Sequence, residues 1–199
     1  DYKTKGINIE ANDIVLSMNQ PKSSYLKVLF EPKTMVEDSI TYDITAWSLP
    51  YAYGLKTFAL KDKLLPKEYE AIKVNNVFSG PKRAYAYLFK WNSFTDAKLL
   101  ASLLKQKIKV RQSELPFEID GHIYDRGSLV ITREGNENLG ENFEKLICKI
   151  ANENNVTAQI VYSGMVTKGF DMGSSRLSVI KTPTVAIIGG EGTTANAFG

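Results

Sequence analysis

Residues 84–112 read AYAYLFKWNSFTDAKLLASLLKQKIKVRQ, and this stretch decides the class of fold. AYAYLFKW, residues 84–91, is an aromatic and apolar run of strand length. Asn92 or Ser93 can cap a helix beginning at Phe94. FTDAKLLASLLKQ, residues 94–106, places Phe94, Ala97, Leu100, Leu103 and Leu104 near the helical repeat, which predicts an amphipathic helix. IKVRQ, residues 108–112, returns to strand. The basic run KQKIKVR, residues 105–111, alternates with apolar residues, as a strand with one solvated face does.

Downstream the same alternation repeats. FEIDGHIYDRGSLVIT contains a turn at Asp120–Gly121, a second at Asp125–Gly127 and a strong strand over residues 128–132. Residues 139–152 predict a second helix, with Leu139, Phe143, Leu146, Ile147 and Ile150 on one face and Asn136 or Asn138 as cap. VTAQIVYSG, residues 156–164, is the next strand. A Gly- and Ser-rich link then leads to a last strand in TVAIIGG, residues 184–190. Strands such as SLVIT and TVAII are apolar on both faces. The implied fold is α/β, a mostly parallel, flavodoxin-like sheet with helices on both faces.

Upstream the pattern is less regular. GINIE and DIVLSM read as short extended pieces, and SSYLKVLFE as a short helix that Ser23 or Ser24 could cap. Residues 39–60, SITYDITAWSLPYAYGLKTFAL, form an irregular aromatic-rich segment punctuated by Pro50 and Gly54. Two readings stay open for it. One is a connector packed on a domain surface. The other is a pocket wall or interface carried by Tyr42, Trp47, Tyr51 and Tyr53, because such rings favour half-buried sites. Residues 61–82 are polar and hold Pro66 and Pro81, which divides the chain into a linker or support segment, 1–82, and an α/β domain, 83–199.

Composition narrows the function classes. The 199 residues carry 25 Lys and Arg against 22 Asp and Glu, a formal net charge of +3, too even to argue for nucleic acid. One cysteine, Cys148, rules out an internal disulfide and any multi-cysteine metal site. It lies inside a helical pattern, where a small buried hydrophobe is the ordinary reading. No window approaches the length of apolar sequence needed to span a bilayer. The chain begins at Asp1 without Met and stops shortly after a strand, so it reads as part of a larger enzyme.

Chemistry-bearing patterns are sparse. His122 is the sole histidine, and a catalytic zinc site takes about three protein ligands. No G-x-S-x-G elbow frames a nucleophile. Ser163 and Gly164 end a strand, a place where open α/β sheets bind ligands. Gly189, Gly190 and Gly192 come after the last strand and permit a tight turn with close backbone approach, yet without the spacing of a phosphate loop. These five are the ligand-binding candidates; no catalytic or metal-ligating residue is assigned.

NQPKSSYLKVLFEP (19–32), DSITYDITAWSLPYAYG (38–54) and DMGSSRLSVIKTPTVAIIGGEGTTANAFG (171–199) resemble a bacterial subgroup of the M14 zinc carboxypeptidases, prominent in Bacteroides relatives. The resemblance implies a peptidase domain upstream, then a linker, then a class I glutamine amidotransferase-like domain. The α/β domain at 83–199 would be a truncated piece of the latter. The family's zinc ligands, a His-x-x-Glu pair and a distant His, match no position here, and neither do its catalytic Glu and its substrate-binding Arg. The implied function is that of a non-catalytic accessory region of a secreted or periplasmic metallopeptidase, with zinc in the parent and no cofactor in this part. Its partners would be the upstream peptidase domain and the downstream remainder of the polypeptide, with a peptide or envelope polymer as ligand. The alternative is a self-contained small-molecule-binding α/β module without catalysis.

Overall fold

A computed structural model of the chain describes residues 2–4, 7–10, 13–32, 48–61, 64, 70, 73–77 and 83–186. The N-terminal elements are a small antiparallel pair, β1 (Tyr2–Thr4) and β2 (Ile7–Ile9), and two helices, α1 (Ser23–Phe30) and α2 (Leu49–Ala52). α1 falls where its spacing predicts, but Lys22 occupies its N-cap and makes no side-chain cap bond. DIVLSM forms no strand.

The main unit runs β3 (Ala86–Phe89), α3 (Phe94–Lys105), β4 (Arg111–Ser113), β5 (Phe117–Ile119), β6 (His122–Tyr124), β7 (Leu129–Thr132), a single 3-10 turn at Glu137–Leu139, α4 (Asn142–Glu153), β8 (Gln159–Val161) and β9 (Leu177–Val179). Its sheet has the order β8-β3-β7-β4-β9, and every neighbouring pair is antiparallel. This corrects the parallel, flavodoxin-like or amidotransferase-like arrangement read from the alternation of strands and helices. β3 and β4 do run parallel to each other, as a βαβ crossover requires, but β7 is inserted between them and runs the other way. The order is that of the split βαβ, ferredoxin-like topology, extended by β9 at one edge.

A second correction concerns the layers. α3 and α4 cover the same face. Tyr87 and Phe89 of β3, Leu129 and Ile131 of β7, and Val110 pack there against Leu99, Leu103, Phe143, Ile147 and Ile150. Ala86, Leu88, Val130 and Val161 point the opposite way and meet Phe117, Ile119, Tyr124, Met172 and Leu177. The second face is therefore roofed by the β5–β6 hairpin and the loop leading to β9. A strand buried on both faces needs two covers, and its sequence does not say whether each is helix or hairpin.

Local chemistry sets the ends. Asp120 and Gly121 both hold positive φ, 49° and 75°, as a two-residue hairpin loop of type I′ demands. α3 and α4 each close with paired bonds typical of a left-handed cap: Lys107 N–H to Leu104 O and Ile108 N–H to Leu103 O, then Asn155 N–H to Asn152 O and Val156 N–H to Ala151 O. The buried face of α3 is Leu99 and Leu103 with Asp96, while Phe94, placed on the stripe by periodicity, is 51% exposed. Buried Asn136 ties β7 to the start of β4, accepting from Lys109 N–H and donating to Lys109 O and Thr132 O. The last strand foreseen, at 184–190, is not formed over 184–186, and 187–199 lie outside the described residues. No helix among the described residues is long and apolar enough to cross a membrane.

Candidate functional site

An open-mouthed groove of about 380 Å³ lies where β3 turns into α3. Leu88 and Gln159, which pair across β3 and β8, and Lys90 form one part of its lining. Asn92, Ser93, Thr95 and Asp96 contribute the first turn of α3, His122 and Tyr124 the hairpin, and Asn155, Val156 and Thr157 the turn after α4. Each piece is held by local structure. The Asp96 carboxylate is buried and accepts from the N–H groups of Asn92 (3.0 Å) and Ser93 (2.8 Å), which satisfies donors left over at the helix start. The left-handed residue Asn155 turns the chain from α4 toward β8. Tyr124 stacks on Phe117 with ring centroids 5.1 Å apart. Burial, and next the charge of Asp120, pushes the Tyr124 hydroxyl up to about 12.

The candidate residues fall elsewhere. Ser163 is exposed, and its Oγ accepts from Met165 N–H at 3.1 Å, so the hydroxyl closes a turn. Gly164 lies under Tyr85: a Cβ at 164 would come within 2.8 Å of that ring and its hydroxyl. β8 enters at Gln159, in the groove, and Ser163 lies four residues further on, about 13 Å away at strand rise. Ser163 is therefore not part of the groove that His122 lines. Gly189, Gly190, Gly192, Tyr42 and Trp47 lie outside the described residues. Tyr51 is 70% exposed. Tyr53 meets Phe94 edge-on at 6.1 Å, and Gly54 approaches Asn92 so closely that a Cβ there would sit 2.2 Å from its carbonyl oxygen. The Tyr53–Gly54 turn thus packs against Phe94 and the lining residue Asn92.

Cys148 is buried in the helix-side core, where burial, then the charge of Glu144, pushes its thiol up and away from the reactive thiolate. A smaller hollow is lined by Arg83, Arg133, Glu141 and Glu144. Its charges are largely committed, since Arg133 and Glu144 pair at 2.7 Å and Arg133 also lies over the Phe143 ring. Among the described residues no group of three His, Cys, Asp or Glu side chains could hold a metal ion.

Sequence reasoning missed the groove because its walls come from three separated stretches, 88–96, 122–124 and 155–159, whose residues are individually ordinary. The one usable signal was Asn92–Ser93 as a helix cap facing the DG hairpin. No family model matches the chain, and neither a curated protein nor a solved structure does.

Proposed function

We propose that the chain is a non-catalytic accessory region of a secreted or periplasmic zinc carboxypeptidase-like protein, and that it braces the peptidase part in a fixed geometry. The observation that carries this reading is the way the upstream segments are stitched onto the split βαβ unit. Asn76 is bonded to Asn152, Val156 and Ala158, and the Tyr53–Gly54 turn is packed on Asn92 and Phe94. Such side-chain stitching orients one piece of polypeptide against the next. Two side chains that could in principle be nucleophiles support the same reading, since the Ser163 hydroxyl accepts a bond that closes a turn and Cys148 is in the core.

The test is direct. The purified chain, supplied with zinc and a panel of blocked dipeptides with apolar, basic and acidic C-terminal residues, is expected to release no amino acid above the buffer rate and to retain no stoichiometric zinc after dialysis. Stoichiometric zinc together with turnover overturns the proposal. A second reading, a small-molecule-binding module without catalysis, is favoured by the groove at the β3–α3 turn.

A further inference from the structure

We propose that the groove at the β3–α3 turn binds a neutral, polyhydroxylated ligand, a sugar unit or short oligosaccharide. This deepens the second reading above and does not depend on the first.

Tyr124 points to a ligand. It is only 3% exposed and lines the groove, so what solvent contact it keeps lies there. Its ring is fixed by the stack on Phe117, yet its hydroxyl has no hydrogen bond among the described residues and is not one of the fully enclosed polar atoms. A nearly buried hydroxyl without a protein partner is left to bond whatever polar group enters the groove, water or a ligand.

The charges select against ions. Lys90 and Asp96 offset each other. Asp96 already puts a negative charge in the first turn of α3, which disfavours a phosphate or carboxylate there, and its carboxylate is committed to two backbone N–H groups. A cation would meet Lys90 and a carboxylate already engaged. Apart from His122, the remaining polar lining is hydroxyl and carboxamide: Asn92, Ser93, Thr95, Thr157 and Gln159, with Asn155, whose Oδ1 accepts from Val74 N–H. Hydroxyls and carboxamides both donate and accept, which matches the sugar hydroxyl's own dual character.

An apolar surface adjoins the lining residue Asn92. Trp91 is 41% exposed although it packs against Gly127, whereas Phe94 has Lys98 Nζ over its ring, 5.1 Å from the centroid, and Tyr53 at its edge. An aromatic face left in water beside a polar groove suits the C–H face of a pyranose ring.

The experiment is an amide NMR titration of the full chain with chito-, cello- and maltotriose, with inorganic phosphate and a terminally blocked tripeptide as contrasts. At least one trisaccharide is expected to shift the amides of Asn92, Tyr124 and Gln159. Tyr124→Phe, which keeps the stack, should weaken that binding about fivefold, and Gln159→Ala should weaken it as well, with circular dichroism unchanged. The proposal is overturned by an absence of shifts with every saccharide at millimolar concentration, by shifts with phosphate or the tripeptide alone, or by unchanged affinity in both variants. The zinc and peptidase outcome bears on none of these.

Discussion

Asn76 and Asn152 bond to each other reciprocally: Asn76 N–H donates to Asn152 Oδ1 at 2.6 Å, and Asn152 Nδ2 donates to Asn76 O at 3.3 Å. The carboxamide of Asn152 thereby behaves like a strand neighbour for residue 76, and α4 holds the upstream segment without a sheet ladder. Asn76 answers with its own side chain, donating to Val156 O and accepting from Ala158 N–H, both at the entrance to β8.

Replacing Asn76 or Asn152 by Ala should cost about 1–3 kcal/mol, because part-buried backbone groups lose their partners. In hydrogen exchange the amides of Val74, Asn76 and Ala158 should lose protection in Asn76→Ala while those of β7 keep theirs. Equal loss of protection across the sheet would show that the segment is not a separate attachment.

Asn136 allows a sharper test. Its Nδ2 donates to two carbonyls, Lys109 O at 3.0 Å and Thr132 O at 2.9 Å. Asn136→Asp puts an acceptor where those carbonyls require a donor, so it should destabilise at neutral pH by at least as much as Asn136→Ala, about 2–3 kcal/mol. The introduced carboxyl will have a raised folded-state pKa, because protonation restores a donor. Stability relative to the parent should therefore be best below the unfolded value of about 4 and fall as pH rises through the folded value. Urea midpoints across that range check the sign.

Lys107 sits at φ 57°, in the left-handed cap that ends α3. Lys107→Gly should stabilise the fold by about 0.5–1 kcal/mol, because glycine meets no Cβ penalty there. Asn155→Gly, at φ 54° after α4, should gain less, since asparagine tolerates that region and its carboxamide holds Val74. A melting temperature lowered by Lys107→Gly would contradict this.

Tyr124 sets an alkaline limit. Its folded pKa is raised to about 12 from an ordinary 10.0, so its stabilising contribution is complete below pH 10 and is lost as pH rises toward 12. Within that window one such group contributes a slope of about −1.4 kcal/mol per pH unit. Tyr124→Phe should remove that slope and leave the alkaline loss contributed by buried Tyr87 and Cys148, whose protons burial also retains. Unfolding free energies of both proteins between pH 9 and 12 give the comparison.

Much of this fold was legible where local rules act alone. The run over residues 84–112 announces strand, helix and strand, and Asp120–Gly121 announces the turn that the structure shows to join a hairpin, because periodicity and turn chemistry are properties of neighbouring residues. The direction of the sheet was not legible. A crossover from β3 to β4 looks the same in sequence whether the two strands touch or leave a slot, and the slot is filled by β7, which comes after β4 by way of a hairpin. Leu177–Val179 was hidden for a related reason: a three-residue edge strand has too little pattern to separate from the Gly- and Ser-rich link before it. The groove was least legible, since Lys90, Tyr124 and Gln159 acquire meaning only once three strands have been ordered.

The pairing order also carries a consequence for biosynthesis. β4 acquires its outer neighbour from residues far downstream, as Gln112 meets Ser178 across 66 positions, and Asn76 waits 76 positions for Asn152. A nascent chain leaving the ribosome can wind α3 at once, but it cannot close the sheet until α4 and the two last strands have emerged. Polypeptide made up to that point exposes the apolar faces of β3 and β7, so this region is one where a translational pause or a holding chaperone would most affect yield.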